Sequence, residues 1–155
     1  MNGDVRLRRV EDADLAAFFA HQRDPEAARM ASVSPRDGDA FFAHWARILA
    51  DETVVARTIV ADGEVAGNVV VWTQDGRRLV GYWIGRPHWG RGIATEAVRR
   101  LVAEVTERPL YAFVATENVG SLRVLEKCGF AVPPGDVPPV RGDDDVEEVL
   151  LRLDR

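Results

Sequence analysis

The segment from Leu79 to Ala115 limits the possible folds more than any other part of the chain. An apolar run, Leu79-Val80-Gly81-Tyr82-Trp83-Ile84, reads as a strand and stops at Gly85-Arg86-Pro87. Further on, Ile93, Ala97, Val98, Leu101, Val102 and Val105 recur at helical spacing until Pro109 marks the stop. A second short apolar strand follows at Leu110–Ala115. Strand, glycine turn, helix and strand make a βαβ crossover, which sets the two strands parallel and lays the helix on the sheet. Gly90 and Gly92 flank Arg91 at the mouth of that helix.

The flanking sequence fits an α/β domain around this unit. Val5–Arg8 alternates like a first strand, and Asp12 or Asp14 is placed to cap a helix carrying Leu15, Phe18 and Phe19. Pro25 interrupts it, with a short helical piece expected at Glu26–Met30. A second amphipathic helix carries Phe41, Phe42, Trp45, Ile48 and Leu49 on one face. Val54–Ala61, Val65–Thr73 and Arg78–Gly85 read as an antiparallel meander turned at Asp62-Gly63 and Gln74-Asp75-Gly76. Beyond Ala115, Asn118–Cys128 reads as a helix closed by Gly129, with Phe130 packing behind it. A short strand is expected near Phe130–Val132, a loop with four prolines over Val132–Asp145, and a last strand at Val146–Leu153. We read residues 1–155 as a single domain.

Composition excludes several classes. Twenty Lys and Arg against 25 Asp and Glu give a net charge of −5, which argues against a nucleic-acid binder. Cys128 is the one cysteine, so an intramolecular disulfide is excluded and a metal site is not expected. No apolar run approaches the roughly 18 residues of a membrane span. A cytoplasmic protein without membrane partners is expected, as monomer or homodimer.

A glycine turn before a helix suits an anion, because helix N-termini carry unpaired N–H groups and a partial positive charge. Three phosphate cradles can be compared. The nucleotide-triphosphate loop G-x-x-x-x-G-K-[ST] is absent. The dinucleotide fingerprint G-x-G-x-x-G meets Thr95 at its third key position and follows a meander instead of opening the chain. It leaves a nicotinamide-dependent oxidoreductase as an outside reading. The third cradle fits better: Trp89-Gly90-Arg91-Gly92-Ile93-Ala94 resembles the pyrophosphate loop Q/R-x-x-G-x-G/A of the GNAT superfamily, N-acetyltransferases that use acetyl-CoA. Thr116–Phe130, in which Asn118 begins a helix ending in Gly-Phe, resembles a later motif of the same family. Gly81–Ala97 is most similar to the branch of ribosomal-protein N-terminal acetyltransferases.

The resemblance implies a single-domain GNAT-like α/β fold, a mixed sheet of about seven strands with an antiparallel N-terminal meander, the parallel crossover and about four helices. It implies acetyl-CoA as acetyl donor, held by Ile84, Trp89, Gly90, Arg91, Gly92, Ile93, Ala94, Thr95, Asn118, Ser121 and Arg123. Backbone donors at Trp83 or Ile84 are implied for the thioester carbonyl, and Ser121 as the acid, with Tyr82 and Tyr111 as outside candidates. The family's tyrosine position is Leu125 here, and Leu79 stands where some relatives carry a glutamate base, so no base is assigned. The acceptor implied is a primary amine, on a protein N-terminus or a small molecule. Three blander readings stay open. Gly90 and Gly92 also suit a purely structural turn, Asn118 suits a simple N-cap, and the missing tyrosine and glutamate suit a non-catalytic acyl-CoA-binding or regulatory module.

Overall fold

The computed structural model describes residues 4–26, 36–133, 140–141 and 147–155. The elements run β1 (Val5–Arg9), α1 (Asp14–Arg23), α2 (Gly38–Ala50), β2 (Val55–Ala61), β3 (Glu64–Gln74), β4 (Arg77–Ile84), α3 (Ile93–Glu104), β5 (Leu110–Ala115), α4 (Val119–Lys127), β6 (Val140–Arg141) and β7 (Glu147–Leu153). The strands form one sheet in the order β1-β2-β3-β4-β5-β7-β6. Only the β4–β5 pair is parallel, as the crossover requires.

The meander is set by its turns. Asp62-Gly63 and Asp75-Gly76 all have positive φ (51°, 83°, 52° and 77°), the geometry that matches two-residue hairpins to strand twist. Strand alternation then divides the side chains between two layers. Ile59, Val69, Val71 and Val80 pack under α3 and α4, against Ala97, Val98, Leu101 and Leu125. Val65 and Val70 face the other way, toward Phe18, Phe41 and Trp45 of α1 and α2. Each helix pair covers one face.

Three expectations are corrected and one feature is new. Neither Asp12 nor Asp14 caps α1: Ala13 holds the cap position, and the Asp14 carboxylate turns back to accept from Arg8 at 2.7 and 2.9 Å and from the Thr58 hydroxyl at 2.7 Å. A partly buried ion pair outcompetes a cap. In α2 only Phe41 and Trp45 are buried, while Phe42 and Leu49 are each 42% exposed, because the helix rests on the sheet by a narrower stripe than its apolar spacing offers. The strand expected at Phe130–Val132 is one isolated bridge, Ala131↔Arg152, and the seventh strand is Val140–Arg141 inside the proline-rich stretch. The glycine turn contains an unexpected single 3₁₀ turn, Arg86–His88. The expected helical piece at Glu26–Met30 and most of the loop over Val132–Asp145 lie outside the described residues. Among the described residues no helix is long and apolar enough to cross a membrane.

Candidate functional site

The site is built where β4 and β5 part. β4 pairs with β3 along its whole length, from Gln74↔Arg77 to Gly67↔Ile84, but meets β5 only at Leu79↔Tyr111. From Val80 to Ile84 its other edge borders a gap. Gly67 is one cause of this path: a Cβ there would sit 2.0 Å from the Trp83 carbonyl oxygen, so only glycine lets β4 cross so close. A register shift at Ile59/Val60 bends β3 at the same point, and the Gly85 amide donates to the Ala66 carbonyl at 2.8 Å.

The loop from Gly85 to Gly92 closes one end of the gap. The Trp89 amide donates to the Arg86 carbonyl at 3.1 Å, and the Trp89 indole N–H returns to the Ile84 carbonyl at 2.9 Å. Gly90 and Gly92 have φ of 73° and 72°, in the left-handed region that glycine adopts without strain. Gly92 is the cap residue of α3 and offers no side chain, and the first bond of the helix runs from the Glu96 amide to the Gly92 carbonyl at 3.1 Å. The amides of Ile93, Ala94 and Thr95 precede that bond and have no intrahelical partner. A Cβ at Gly90 would meet nothing within 4 Å, so this backbone borders open space.

α4 supplies the opposite wall. Asn118 caps it, its side-chain oxygen accepting from the Ser121 amide at 3.2 Å, so the structural role of this asparagine is confirmed. The other end of α4 closes as the sequence indicates: Gly129 has φ 97°, its amide donates to Glu126 and the Phe130 amide to Leu125, each at 3.0 Å. The Ser121 hydroxyl lies 2.6 Å from the Tyr82 hydroxyl. Burial pushes the Tyr82 phenol above its ordinary value, against the smaller opposing effect of the Ser121 hydrogen bond, so it stays protonated at neutral pH.

These elements enclose a cavity of about 440 Å³ lined by Tyr82, Trp83, Ile84, the loop and the first turns of α3 and α4. Every residue singled out from the sequence for this site lines it except Arg91 and the outside candidate Tyr111. That guanidinium turns outward to Asp62 at 2.7 Å and to His88 Nδ1 at 3.3 Å, anchoring the loop to the β2–β3 turn. Gly120 and Val124 also line the cavity and were not singled out from the sequence, as do His88, read there as a loop residue, and Lys127, weighed with Arg123 between a solvated charge and a phosphate contact. Helical spacing offered a signal for Val124, which follows Ser121 by three positions. Tyr111 lies beneath Arg77 instead, 5.7 Å from ring centre to guanidinium, and Leu125 is buried in the core.

A second cleft, of about 710 Å³, opens on the α1/α2 face and shares Tyr82 and Trp83 with the first. Its walls include Trp45, Trp72 and Trp83, and the Trp72 indole packs so close to Gly81 that a Cβ there would come 3.0 Å from it. His44 sits in this cleft, held below its ordinary pKa by burial first and then by Arg36 and Arg47. Two chambers thus meet at one short piece of β4.

Comparison with known proteins converges on one family. The model of the acetyltransferase (GNAT) domain matches residues 4–131. Over 139 residues the chain is 25% identical to an uncharacterized N-acetyltransferase p20 of Bacillus licheniformis, covering 81% of this chain and 78% of the relative. It is likewise 25% identical over 139 residues to the putative ribosomal N-acetyltransferase YdaF of Bacillus subtilis, covering 81% and 76%. Among solved structures, an acetyltransferase from Agrobacterium tumefaciens superposes with a TM-score of 0.80 at 21% identity, covering 100% of this chain and 93% of that one. Spermidine N-acetyltransferase from Vibrio cholerae, in complex with CoA and spermine, superposes with a TM-score of 0.80 at 17% identity, covering 96% and 94%.

Proposed function

We propose that this chain, which belongs to the GNAT acetyltransferase family, moves an acetyl group from acetyl-CoA directly to a primary amine. The observation that carries the reading is the meeting of two chambers at Tyr82-Trp83, one with a glycine cradle and free helix amides, the other aromatic and open to an acceptor. Solved neighbours in complex with CoA or acetyl-CoA support the donor. The residues present fit it. The open backbone at Gly90, the amides of Ile93, Ala94 and Thr95, and the cations Arg123 and Lys127 suit a pyrophosphate.

Acetyl-CoA supplies an activated thioester whose sulfur leaves as a thiolate. The chain contributes the rest. Along β4 alternate amides point to opposite neighbours. The alternation that sends the Gly85 amide to Ala66 sends the Ile84 amide into the gap beside β5. That N–H is placed to donate to the carbonyl oxygen as negative charge grows there. Ser121, bonded to the protonated Tyr82, holds a proton for the departing sulfur, with Tyr82 as its reserve. The acceptor amine attacks in its neutral form from the aromatic cleft, and the proton its nitrogen sheds passes to solvent, from which the Ser121–Tyr82 pair regains the one given to sulfur.

The test is titration with acetyl-CoA, CoA and NADH, followed by release of free thiol with a panel of primary amines. Binding of both CoA species and amine-dependent thiol release are expected, with no NADH binding. NADH binding without acetyl-CoA binding would favour the dinucleotide reading and remove this one.

A further inference from the structure

The acceptor cleft has a charge sign that limits what enters it. Among the described lining residues it carries Arg36 and Arg47 at its rim and a single carboxylate, Asp51. That carboxylate is engaged by Thr53, whose amide and hydroxyl donate to it at 2.9 and 2.7 Å. Neither guanidinium takes part in an ion pair among the described residues, and both act on His44, so their fields overlap in the cleft. A site for a polycation would need the opposite: carboxylates facing inward to replace the water of each ammonium. Three indoles, Trp45, Trp72 and Trp83, line the cleft, with Trp72 packed close against Gly81. Such walls bury a planar or hydrocarbon body, and unpaired arginines bind an anion in a two-pronged grip.

We propose that the acceptor is a primary amine on a flat apolar body that also bears an anionic group, carboxylate or phosphate, received by Arg36 and Arg47. The inference rests on the acetyltransferase reading and narrows its substrate. The amine points to the junction at Tyr82-Trp83, and the anion stays at the rim where the two arginines remain partly in water.

The experiment compares 4-(aminomethyl)benzoate with 4-(aminomethyl)benzamide, benzylamine, the corresponding aryl phosphonate and spermidine, by thiol release at fixed acetyl-CoA. Titration of the acid and the amide onto the CoA-loaded protein reads the same preference without turnover. The acid is expected to exceed the amide in kcat/KM or affinity by about tenfold at low salt, falling as salt rises. Relative rates of carboxylate and phosphonate identify which anion the rim prefers. In Arg36→Gln/Arg47→Gln, both exposed positions, the acid-to-amide ratio should fall toward one. Equal use of acid and amide, or a preference for spermidine, overturns the anionic acceptor while acetyl-CoA-dependent turnover keeps the enzyme reading intact. Failure of acetyl-CoA to bind overturns both.

Discussion

Tyr82 and Ser121 stand 39 positions apart in the chain and 2.6 Å apart in space. Sequence spacing ranks them as separate candidates, and nothing local couples a residue of β4 to the first turn of α4. The contact depends on how α4 lies across the strand gap. If the two hydroxyls act as one proton reserve, their removal cannot be additive. Ser121→Ala is expected to lower kcat about tenfold with little change in acetyl-CoA affinity, and Tyr82→Phe to do nearly the same. The double variant should then be scarcely worse than either single one, which steady-state kinetics on all three would measure. Full multiplication of the two losses would separate the residues, and unchanged turnover would remove Ser121 from the reaction. Gly67 matters as much and is less visible. An isolated glycine in a strand pattern does signal close backbone approach, but the partner it approaches is the Trp83 carbonyl, at 2.0 Å from a notional Cβ. Gly67→Ala should destabilise the fold by about 3 kcal/mol in denaturant titration and lower kcat further than stability alone explains, because it shifts the Trp83–Ile84 peptide.

At the scale of elements, legibility follows how local the determinant is. The two hairpin turns, the Asn118 cap and the Gly129 closure are each specified within a few residues, and each forms where the sequence indicates it. The start of α1 is different. Asp14 sits among apparently interchangeable acids, yet only it reaches Arg8 of β1 and Thr58 of β2, and only the tertiary fold brings those together. The Arg8 hydrogen bond, outweighing the cost of burial, holds its carboxyl at about 2 against an ordinary 3.8. The folded form therefore binds a proton less readily than the unfolded chain. Its contribution, about 2 kcal/mol, is complete above pH 3.8 and is lost as pH falls through about 2. Asp14→Asn should flatten that part of the acid-unfolding profile, measured by circular dichroism between pH 5 and 2. Asp14→Ala should cost about 3 kcal/mol at neutral pH, since Arg8 is left beside a partly buried vacancy.

For the whole molecule, the site lies where the sheet is weakest. β1 to β4 are fully laddered to one another, and β5 is laddered to β7, but the two parts share only the Leu79↔Tyr111 pair as sheet contact. Other contacts bridge them, among them Tyr82 to Ser121 and Arg78 to Glu107 at 3.2 Å, with α3 packed across. A crossover with a glycine turn is legible in the sequence, but the length of the unpaired gap is not, because it is set by the β3 bend at Gly67 and by the seat of α4. A ligand filling the 440 Å³ cavity would touch β4, α3 and α4 together and so stabilise the native state across its own division. Acetyl-CoA at a hundred times its Kd should add about 2.7 kcal/mol, raising Tm by roughly 5–10 °C in a domain this size. NADH should leave Tm unchanged. Gly92→Glu puts an anion at the cap of α3, where φ is 72°, at a cost of about 1–2 kcal/mol. Its own Tm should drop by a few degrees, and the acetyl-CoA shift should disappear while circular dichroism remains native. A folded Gly92→Glu protein that retains the full shift would show that the pyrophosphate is held elsewhere than at the glycine turn.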